Sequence, residues 1–484
     1  MKSHFLLILL LALPCLSQSQ TLNGRIVDGQ TGEAVPFATV VTGVNKGTIS
    51  NEEGYFYLDT SGLTAAGIKI SCMGYETLEI PADSLDSLDV LRLNPAAIRL
   101  NEVRVGERIP EAEEIIRKVN ENIPVNYYTD ERNYTFFYRE SEYMNWDQLD
   151  MEVEKDSELN REELGSAQEE LKALSRYISE SQAVSYLDYN GAYRQLKDSS
   201  LIWIDRATEL IDTKKDFSMD NLQARAQKIV LSHLDSTQTY KVKTGIITVE
   251  DSISIDEEFG REGFGDSTSV NALNGRVSNL LSVAGFENED RLSDFLDEGL
   301  YRYELVKPTY FNGFYVYAVR FTPRKRKAKF AGTLYVDASN FAVLKADYKY
   351  ADGRNGQSVN LKLLLGIKYI ENKDQGTIVF QQDDSGKYNP HYIQKEYGNY
   401  VYLHRSLKFI ENSSSRKKVL FDFLLEGGVR QKESLLIRPS EPMTSQASTD
   451  KILVQKLDAY EPTIWQDTEI IAPLEEMKNF KVSN

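Results

Sequence analysis

The chain has 484 residues, which is long for one ordinary hydrophobic core, so its length predicts two or three domains. It carries 73 acidic and 56 basic residues, a formal net charge of −17 at pH 7. This charge argues against a nucleic-acid partner and against polybasic attachment to a membrane. The 28 tyrosines favour β structure, because aromatic side chains fit half-buried pleated surfaces.

Residues 1–20 have the pattern of a secretory signal peptide. A short positive region precedes an apolar stretch at residues 5–13, and small residues then offer cleavage sites. We expect the mature chain to begin between Gln18 and Thr21. A lipid anchor on Cys15 is the alternative, although the proline before that cysteine disfavours it. No later segment approaches eighteen uninterrupted apolar residues, so the sequence predicts no transmembrane segment after signal removal.

Residues 21–105 contain short apolar strands separated by turn residues, without a helical period. Strands at this spacing predict a small β-sandwich. Gly32 and Gly54 fall where turns need positive φ, and Cys72 is predicted to be a buried, inert thiol. The predicted core consists of Phe37, Val40, Phe56, Leu58, Ile70 and Tyr75.

Segments of this region resemble the carboxypeptidase-regulatory-like domain, which is a transthyretin-like β-sandwich. The segments read GRIVD from Gly24, TGEAVPFATV from Thr31, GTISNEEGYF from Gly47 and SCMGY from Ser71. The resemblance implies an accessory module at the front of a Gram-negative envelope protein, with no peptidase activity of its own.

A linker helix is predicted within residues 106–125. Pro110 opens it and Pro124 is expected to end it. One face of this helix is apolar. Residues 126–440 then mix strands with helical inserts, and residues 441–484 form a C-terminal tail.

The acidic segment 147–172 is predicted to be helical, after a strand at residues 133–143. Leu164, Leu171 and Ile178 form a brief heptad seam, which we expect to pack on its own domain rather than on a coiled-coil partner.

Further helices are predicted near residues 219–234, 276–284 and 290–298, the last two with Gly285 and Gly299 as C-caps. The acidic, glycine-containing segment 250–266 is predicted to be a mobile loop.

From Tyr301 onward, consecutive short strands joined by turns predict an antiparallel meander. The unit GTLYVDASNFAV at residues 332–343 resembles a hairpin from the half-barrel of periplasmic lipoprotein carriers. Together, the patterns and resemblances predict a mainly β chain of the α+β class. Its β-sandwich is followed by a curved antiparallel sheet or half-barrel with helical inserts.

Candidate catalytic residues are few. After signal removal, His233, His391 and His404 remain, and none belongs to a pair with metal-ligand spacing. Gly265-Asp266-Ser267 resembles the Gly-Asp-Ser block of lipolytic esterases, but the preceding strand and the Asp-x-x-His of that family are missing. The sequence therefore predicts no catalytic, cofactor-binding or metal-binding residue, and no enzyme.

Two charged segments have structural interpretations. Asp383-Asp384-Ser385-Gly386 is predicted to be a turn without calcium. The basic run Arg324–Lys329 is predicted to be a hairpin loop whose charges protect a sheet edge. Docking of this run to an acidic partner or to lipid headgroups is the alternative.

Three functions fit these observations. The favoured one is a non-catalytic envelope binding or assembly module, whose curved sheet holds an apolar ligand or a protein partner such as an outer-membrane or envelope protein. The alternatives are a purely structural envelope protein and an unrecognised hydrolase. We expect the protein in the periplasm or on the periplasmic face of the outer membrane. A ligand carrier should have an apolar cavity under a movable helix, whereas a structural protein should be filled by its own side chains.

Overall fold

The computed structural model describes residues 21–43, 46–60, 63, 67–85, 89–96, 109–128, 131–156, 161–181, 183–215, 238–244, 247–254, 267–287, 290–466 and 468–482. The predicted signal peptide and the predicted helix near residues 219–234 lie outside these ranges. The chain divides into two compact units. The first unit comprises Met1–Pro95 with Glu461–Leu474, and the second comprises Ala96–Tyr460 with Glu475–Asn484.

The first unit is built from two small sheets. One has the strand order β4-β1-β7, with β1 and β7 parallel, and the other has the order β3-β2-β5-β6. A short 3-10 helix, Ala82–Ser84, precedes β7. The strands are β1 (Thr21–Asp28), β2 (Thr39–Gly43), β3 (Lys46–Ile49), β4 (Tyr55–Asp59), β5 (Ile68–Ser71), β6 (Leu78–Ile80) and β7 (Val90–Leu93).

The core of the first unit confirms four of the six predicted positions, since Val40, Phe56, Leu58 and Ile70 are fully buried in one cluster. The prediction for Phe37 is wrong. This residue is only half-buried, because it occupies the turn before β2 with φ of 59°.

Two further predictions for this core need correction. Tyr75 is half-buried at the margin of the cluster, where its hydroxyl donates a hydrogen bond to Asp28 Oδ2 at 3.0 Å. Cys72 is half-buried rather than buried, and its Sγ lies 3.8 Å from the carbonyl oxygen of Pro36.

The two predicted turn glycines do take positive φ, with values of 74° at Gly32 and 81° at Gly54. A Cβ on Gly54 would lie 2.4 Å from the carbonyl oxygen of Ile26, so both the conformation and the close approach require glycine.

A C-terminal segment of the chain completes the first unit. It contains a 3-10 helix, Pro462–Trp465. Thr48 Oγ1 donates to the carbonyl oxygen of Ile470 at 3.0 Å. Asn51 Nδ2 donates to the carbonyl oxygens of Ala472 and Pro473 at 3.2 and 3.1 Å. These hydrogen bonds join residues far apart in sequence within one compact body.

The second unit is organised around one large, curved, mixed sheet. Its main path is β14-β16-β17-β18-β20-β21-β22-β8-β9-β10-β24, with β11, β12, β15 and β19 attached beside it. The described pairings are antiparallel except β10 with β24. The strands are β8 (Arg132–Asp156), β9 (Ala183–Gln195), β10 (Ser200–Ile211), β11 (Thr239–Thr244), β12 (Ile247–Ser254), β13 (Ser267–Ser269), β14 (Tyr301–Leu305), β15 (Thr309–Phe311), β16 (Phe314–Pro323), β17 (Phe330–Asp337), β18 (Val343–Tyr350), β19 (Ser358–Leu361), β20 (Ile367–Gln382), β21 (Tyr388–Glu411), β22 (Lys418–Pro439), β23 (Lys451–Leu453) and β24 (Gln455–Leu457).

Helices accompany this sheet, and β13 pairs separately with β23. The mainly β, α+β fold class predicted from the sequence is therefore confirmed. The helices are α1 (Ala112–Asn126), α2 (Arg161–Ser179), α3 (Val270–Val283), α4 (Arg291–Phe295), α5 (Lys362–Leu365) and α6 (Glu475–Lys478), with a 3-10 turn at Thr213–Lys215.

The prediction of a helix from residue 147 onward is wrong for its first part. β8 continues to Asp156, and Leu149, Met151 and Val153 are buried between exposed neighbours. α2 then follows and packs on β8 of its own unit, with Leu171 and Ile178 fully buried. This packing confirms the predicted role of the heptad seam.

Pro124 does not end α1, contrary to expectation. It lies inside the helix, which continues to Asn126, and the Tyr127 N–H still reaches the carbonyl oxygen of Ile123 at 2.9 Å. A proline this close to the C-terminus removes only one hydrogen bond, so the last turn survives.

The predicted glycine C-caps are also wrong. α3 ends at Val283, its C-cap residue is Ala284 with φ of −98°, and Gly285 does not adopt the left-handed conformation. A Cβ on Gly285 would lie 1.9 Å from the Asp290 carboxylate, so a larger residue there requires this side chain to move. Gly299 likewise lies outside the left-handed region, and its N–H donates to Asp297 Oδ1 at 2.6 Å.

A row of irregularities crosses four adjacent strands of the large sheet. The register shifts at Asn372 in β20 and at Asp147 in β8, and the ladder between β21 and β22 is interrupted between Gly398 and Val401. We call residues 132–144, 373–382, 388–398 and 430–439 of these strands the closed half, and residues 148–156, 367–371, 401–411 and 418–426 the open half.

Candidate binding site

The row of irregularities contains a cavity of about 510 Å³. Extra residues at bulges bend strands and leave backbone groups unpaired, which is why a cavity forms here rather than in the regular ladder. Its walls come from β8, β9, β20, β21, β22 and α6. The lining residues are Tyr143, Met144, Asn145, Asp147, Ala183, Val184, Asn372, Lys373, Gly398, Asn399, Tyr400, Gly427, Gly428, Val429, Arg430 and Glu476.

Two consecutive glycines allow the strands to approach at the cavity. A Cβ on Gly427 would lie 2.3 Å from the carbonyl oxygen of Asn145, and one on Gly428 would lie 2.0 Å from that of Asn399. Because the ladder is interrupted here, the Asn399 side chain replaces a backbone partner and accepts the Val429 N–H at 3.2 Å. The cavity is thus a built feature of the backbone.

One buried carboxylate organises the basic wall of the cavity. Glu396 accepts hydrogen bonds from Lys373 Nζ at 2.7 Å, from Gln375 Nε2 at 2.6 Å and from Arg430 Nη1 at 3.2 Å. Burial opposes its ionisation, but the Lys373 hydrogen bond and the nearby charges of Lys373, Lys432 and Arg430 hold the pKa of Glu396 below its usual value. Lys373 and Arg430 remain partly exposed and line the cavity.

Acidic groups stand at other points of the wall. Asp147 Oδ1 accepts a hydrogen bond from Asn145 Nδ2 at 2.7 Å. Tyr143 donates its hydroxyl proton to Glu476, and the Arg430 guanidinium lies 4.2 Å from the centre of the Tyr143 ring. The lining therefore offers charges of both signs and several amides beside the apolar side chains of Met144, Val184 and Val429.

The sheet face beneath α3 is filled in a different way. Leu273, Val277 and Leu280 of α3 are buried there, and the Tyr189 hydroxyl donates to the carbonyl oxygen of Leu273 at 3.0 Å. This part of the closed half is packed by its own side chains.

A buried polar cluster interrupts that packing. The Tyr138 hydroxyl lies 2.6 Å from Glu433 Oε1 and 3.1 Å from Glu140 Oε2, and Arg276 of α3 lies 3.4 Å from Glu140. Burial raises the pKa of Glu433. A phenol has one proton for two carboxylates, so a proton retained on one carboxyl would satisfy both contacts.

The histidines considered from the sequence do not come together. His391 is buried in β21 with Nδ1 3.2 Å from the carbonyl oxygen of Ile437, and burial together with Arg438 lowers the pKa of His391 to about 4. His404 is exposed on the open half. His233 and Gly265-Asp266 lie outside the described residues, and Ser267 begins the short strand β13.

Sequence reasoning missed one grouping around His404. Its Nε2 lies 2.9 Å from Asp422 Oδ2, and Ser406 Oγ donates to Asp422 Oδ1 at 2.6 Å. In a catalytic triad the serine donates to the histidine and the carboxylate orients that histidine. Here both side chains bind the same carboxylate directly, so the observed contacts do not activate the serine.

The two charged segments lie where the sequence predicts. Asp383–Gly386 is the turn between β20 and β21, with Ser385 N–H donating to Asp383 Oδ1 at 3.0 Å. Arg324–Lys329 connects β16 to β17, and its residues are exposed apart from Ala328 and the partly buried Lys329.

The described ranges lack two other kinds of site. They contain no group of three or more histidine, cysteine, aspartate or glutamate side chains placed to hold a metal ion. No helix within them is sufficiently long and apolar to span a membrane.

Comparison with known families identifies the N-terminal region. Residues 22–105 match the family model of the CarboxypepD_reg-like domain. The predicted carboxypeptidase-regulatory-like domain is thereby confirmed, and the two-sheet unit described above is its structure. The comparison with curated proteins gave no match.

Two solved structures are similar to most of the chain. A LolA superfamily protein from Nitrosomonas europaea is 10% identical, and the match covers 69% of this chain and 96% of that chain, with a TM-score of 0.20. A DUF1329 family protein from Desulfovibrio piger is 11% identical, with coverages of 69% and 93% and a TM-score of 0.19. Similarity of this extent supports no functional argument.

Proposed function

We propose that this chain is an exported, non-catalytic binding module of the Gram-negative envelope, and that its cavity binds a polar segment of a protein partner. The observation that carries the proposal is the alignment of irregularities in four neighbouring strands, which opens a cavity of about 510 Å³ with charged groups of both signs on its wall. The CarboxypepD_reg-like domain serves as a docking module, on the periplasmic side of the outer membrane.

The chemistry of the walls supports a peptide as the ligand. Lys373 and Arg430 are held by Glu396 yet keep donors for further contacts, and Asp147 and Glu476 provide acceptors. A polypeptide offers backbone amides and both kinds of charge, so it can satisfy such a mixed lining. An apolar ligand would instead leave these polar groups desolvated and unpaired, which is costly.

A purely structural role is the second candidate. It is favoured by the face beneath α3, where the side chains of Leu273, Val277 and Leu280 are buried. The two functions differ in the role of the cavity. A structural protein tolerates charge changes on the cavity wall that do not alter its stability.

Complementation of a deletion strain distinguishes these functions. We expect Lys373→Glu combined with Arg430→Glu to abolish rescue of the deletion phenotype, because both donors of the basic wall become acceptors. Arg320→Glu, an exposed change in β16, is the matched control and should rescue fully. Protein amounts are compared by blot, and the free energy of unfolding of the purified double variant is measured, because both substitutions also remove partners of the buried Glu396.

Variants of the possible catalytic residues complete this test. Ser267→Ala and His404→Ala should rescue, because a binding module does not need their chemistry. If either is abundant yet inactive, the protein is an enzyme. If the double cavity variant rescues like the wild type, the cavity is not the binding site and the structural role stands.

A further inference from the structure

The open half carries an exposed apolar protrusion that the cavity does not involve. We define residues 358–366, which include β19 and α5, as the leucine flap. Leu363 is 101% exposed and Leu364 is 82% exposed, and Val359, Leu361 and Leu365 are also exposed. Isolated surface leucines are ordinary, but a continuous group at the tip of one protrusion marks an interaction site.

Backbone hydrogen bonds hold both ends of the leucine flap on the large sheet. β19 pairs with residues 367–370 of β20, and the flap turns back at Gly366, whose φ is 63°. A Cβ on Gly366 would lie 2.2 Å from the carbonyl oxygen of His404, and the His404 N–H donates to the Gly366 carbonyl at 2.8 Å. Because both ends are fixed, the leucines cannot fold back without breaking these contacts.

Basic and aromatic residues surround the base of the flap. Lys362 Nζ lies 3.6 Å from the centre of the Tyr402 ring, and Lys368 Nζ lies 5.1 Å from that of Tyr400. Tyrosine with lysine is the combination that occupies the headgroup level of a bilayer, below which apolar side chains meet hydrocarbon.

The exposed basic run of the β16–β17 loop lies near the beginning of the flap. Arg354, in the connection from β18 to β19, donates to the carbonyl oxygen of Arg326 at 3.3 Å. Lys325 and Lys327 of this run are exposed. In a chain with a net charge of −17, this local positive charge complements anionic lipid headgroups.

We propose that the leucine flap inserts Leu363 and Leu364 among the acyl chains of a lipid bilayer, while the basic run contacts anionic headgroups. The bilayer accounts for all three features, namely exposed leucines, tyrosine–lysine pairs at their base and nearby positive charge. The leucines of the flap and the basic run do not line the cavity, although Tyr400 lies on its wall, so the proposal goes beyond the proposed function and can fail independently of it.

Sedimentation with vesicles tests the insertion. The full chain purified after export should pellet with vesicles of phosphatidylethanolamine and phosphatidylglycerol. Leu363→Ser combined with Leu364→Ser should weaken this binding roughly a hundredfold, because moving each leucine from water to hydrocarbon changes the partition roughly tenfold. Leu453→Ser, at a leucine that is 81% exposed in β23, is the matched control and should bind like the wild type.

Charge-reversal variants of the basic run test the headgroup contact. Lys325→Glu combined with Lys327→Glu should reduce binding to these anionic vesicles and reduce its dependence on salt. An unchanged affinity for this variant, or equal wild-type binding to neutral phosphatidylcholine vesicles, would show that the basic run makes no headgroup contact. Lys373→Glu combined with Arg430→Glu should leave vesicle binding unchanged.

Fluorescence gives a second measure of insertion. Leu363→Trp should shift its emission to shorter wavelength with vesicles and be quenched by brominated acyl chains, whereas Leu453→Trp should show neither effect. The proposal is wrong if the wild type stays in the supernatant or if the double leucine variant pellets equally well. Loss of rescue by the double leucine variant without vesicle binding by the wild type would mean that the flap docks on a protein.

Discussion

The strands that run through both halves of the large sheet are buried differently in the closed half and in the open half. In the closed half, residues 136–141 of β8 are buried one after another, so both faces of the strand are covered. In the open half, Leu149, Met151 and Val153 are buried, whereas the residues between them are exposed. β8 is therefore covered on both faces in the closed half and on one face in the open half.

The polar groups differ between the halves as well. In the closed half, Arg139 forms a buried ion pair with Asp188 of the neighbouring strand β9, through hydrogen bonds of 2.8 and 2.6 Å. The open half places His404, Ser406 and Asp422 together at the surface. Buried ion pairs need complete and rigid surroundings. The comparison thus predicts that the closed half is covered on both faces and the open half on one, which agrees with the proposed binding role of the cavity beside the open half.

Leucine substitutions in β22 test this comparison with the largest expected effect. Leu435→Ala and Leu436→Ala, at adjacent positions that are both buried, should each lower the free energy of unfolding by about 2–5 kcal/mol. In the open half, Leu425→Ala should cost a similar amount, whereas its half-exposed neighbour Leu424→Ala should cost about 1 kcal/mol or less.

Urea unfolding followed by fluorescence provides these free energies. The expected pattern is two large effects for the neighbouring pair in the closed half, and one large and one small effect in the open half. Equal losses for Leu424→Ala and Leu425→Ala would show that the open half is covered on both faces, and the distinction between the halves would disappear.

The sequence predicted the CarboxypepD_reg-like domain well because its signals are local. Gly32 and Gly54 need positive φ, and alternation within each short strand identifies buried positions such as Val40 and Phe56. Phe37 was misplaced for a local reason too, since alternation cannot reveal that the backbone turns at that residue.

The open half was harder to predict because the bulge at Asp147 interrupts the alternation of buried and exposed residues along β8. Trp146 and Leu149 are both buried, and the bulge at Asp147 inserts an extra residue between them. The acidic residues that follow then resemble a solvated helix, although they alternate with buried residues along β8. For this reason the predicted strand at residues 133–143 is shorter than β8, which continues to Asp156.

The cavity could not be predicted at all from single segments. Its residues come from strands that register brings together, so Asn372, Asn399 and Asp147 are neighbours only in the sheet. Gly427-Gly428 inside a strand was the available signal, since consecutive glycines in a strand mark a bulge or a close approach.

A change of pH tests the closed half with a smaller effect. Burial and Arg438 lower the pKa of His391 to about 4, so the folded state keeps this ring neutral where the unfolded chain would bind a proton. The contribution of His391 to the free energy of unfolding is about 3 kcal/mol and is fully present above about pH 6.5. It falls as the pH decreases and is lost near pH 4.

The His391→Gln variant isolates that contribution. Its free energy of unfolding should fall less steeply than that of the wild type between pH 6.5 and 4.5, because it has no imidazole to protonate in the unfolded state. Parallel curves for the two proteins would mean that His391 is accessible to protons in the folded state, and the closed half would not be closed at this position.

Photo-crosslinking in living cells tests the central claim, that a partner binds at the cavity, most directly. A photoreactive amino acid replaces Asp147 or Asn372 at the cavity, or Arg302 or Glu304 at exposed positions of β14. We expect protein adducts from the two cavity positions only, and their loss when Lys373→Glu and Arg430→Glu are added. Equal adducts from all four positions, or none from the cavity, would contradict the account.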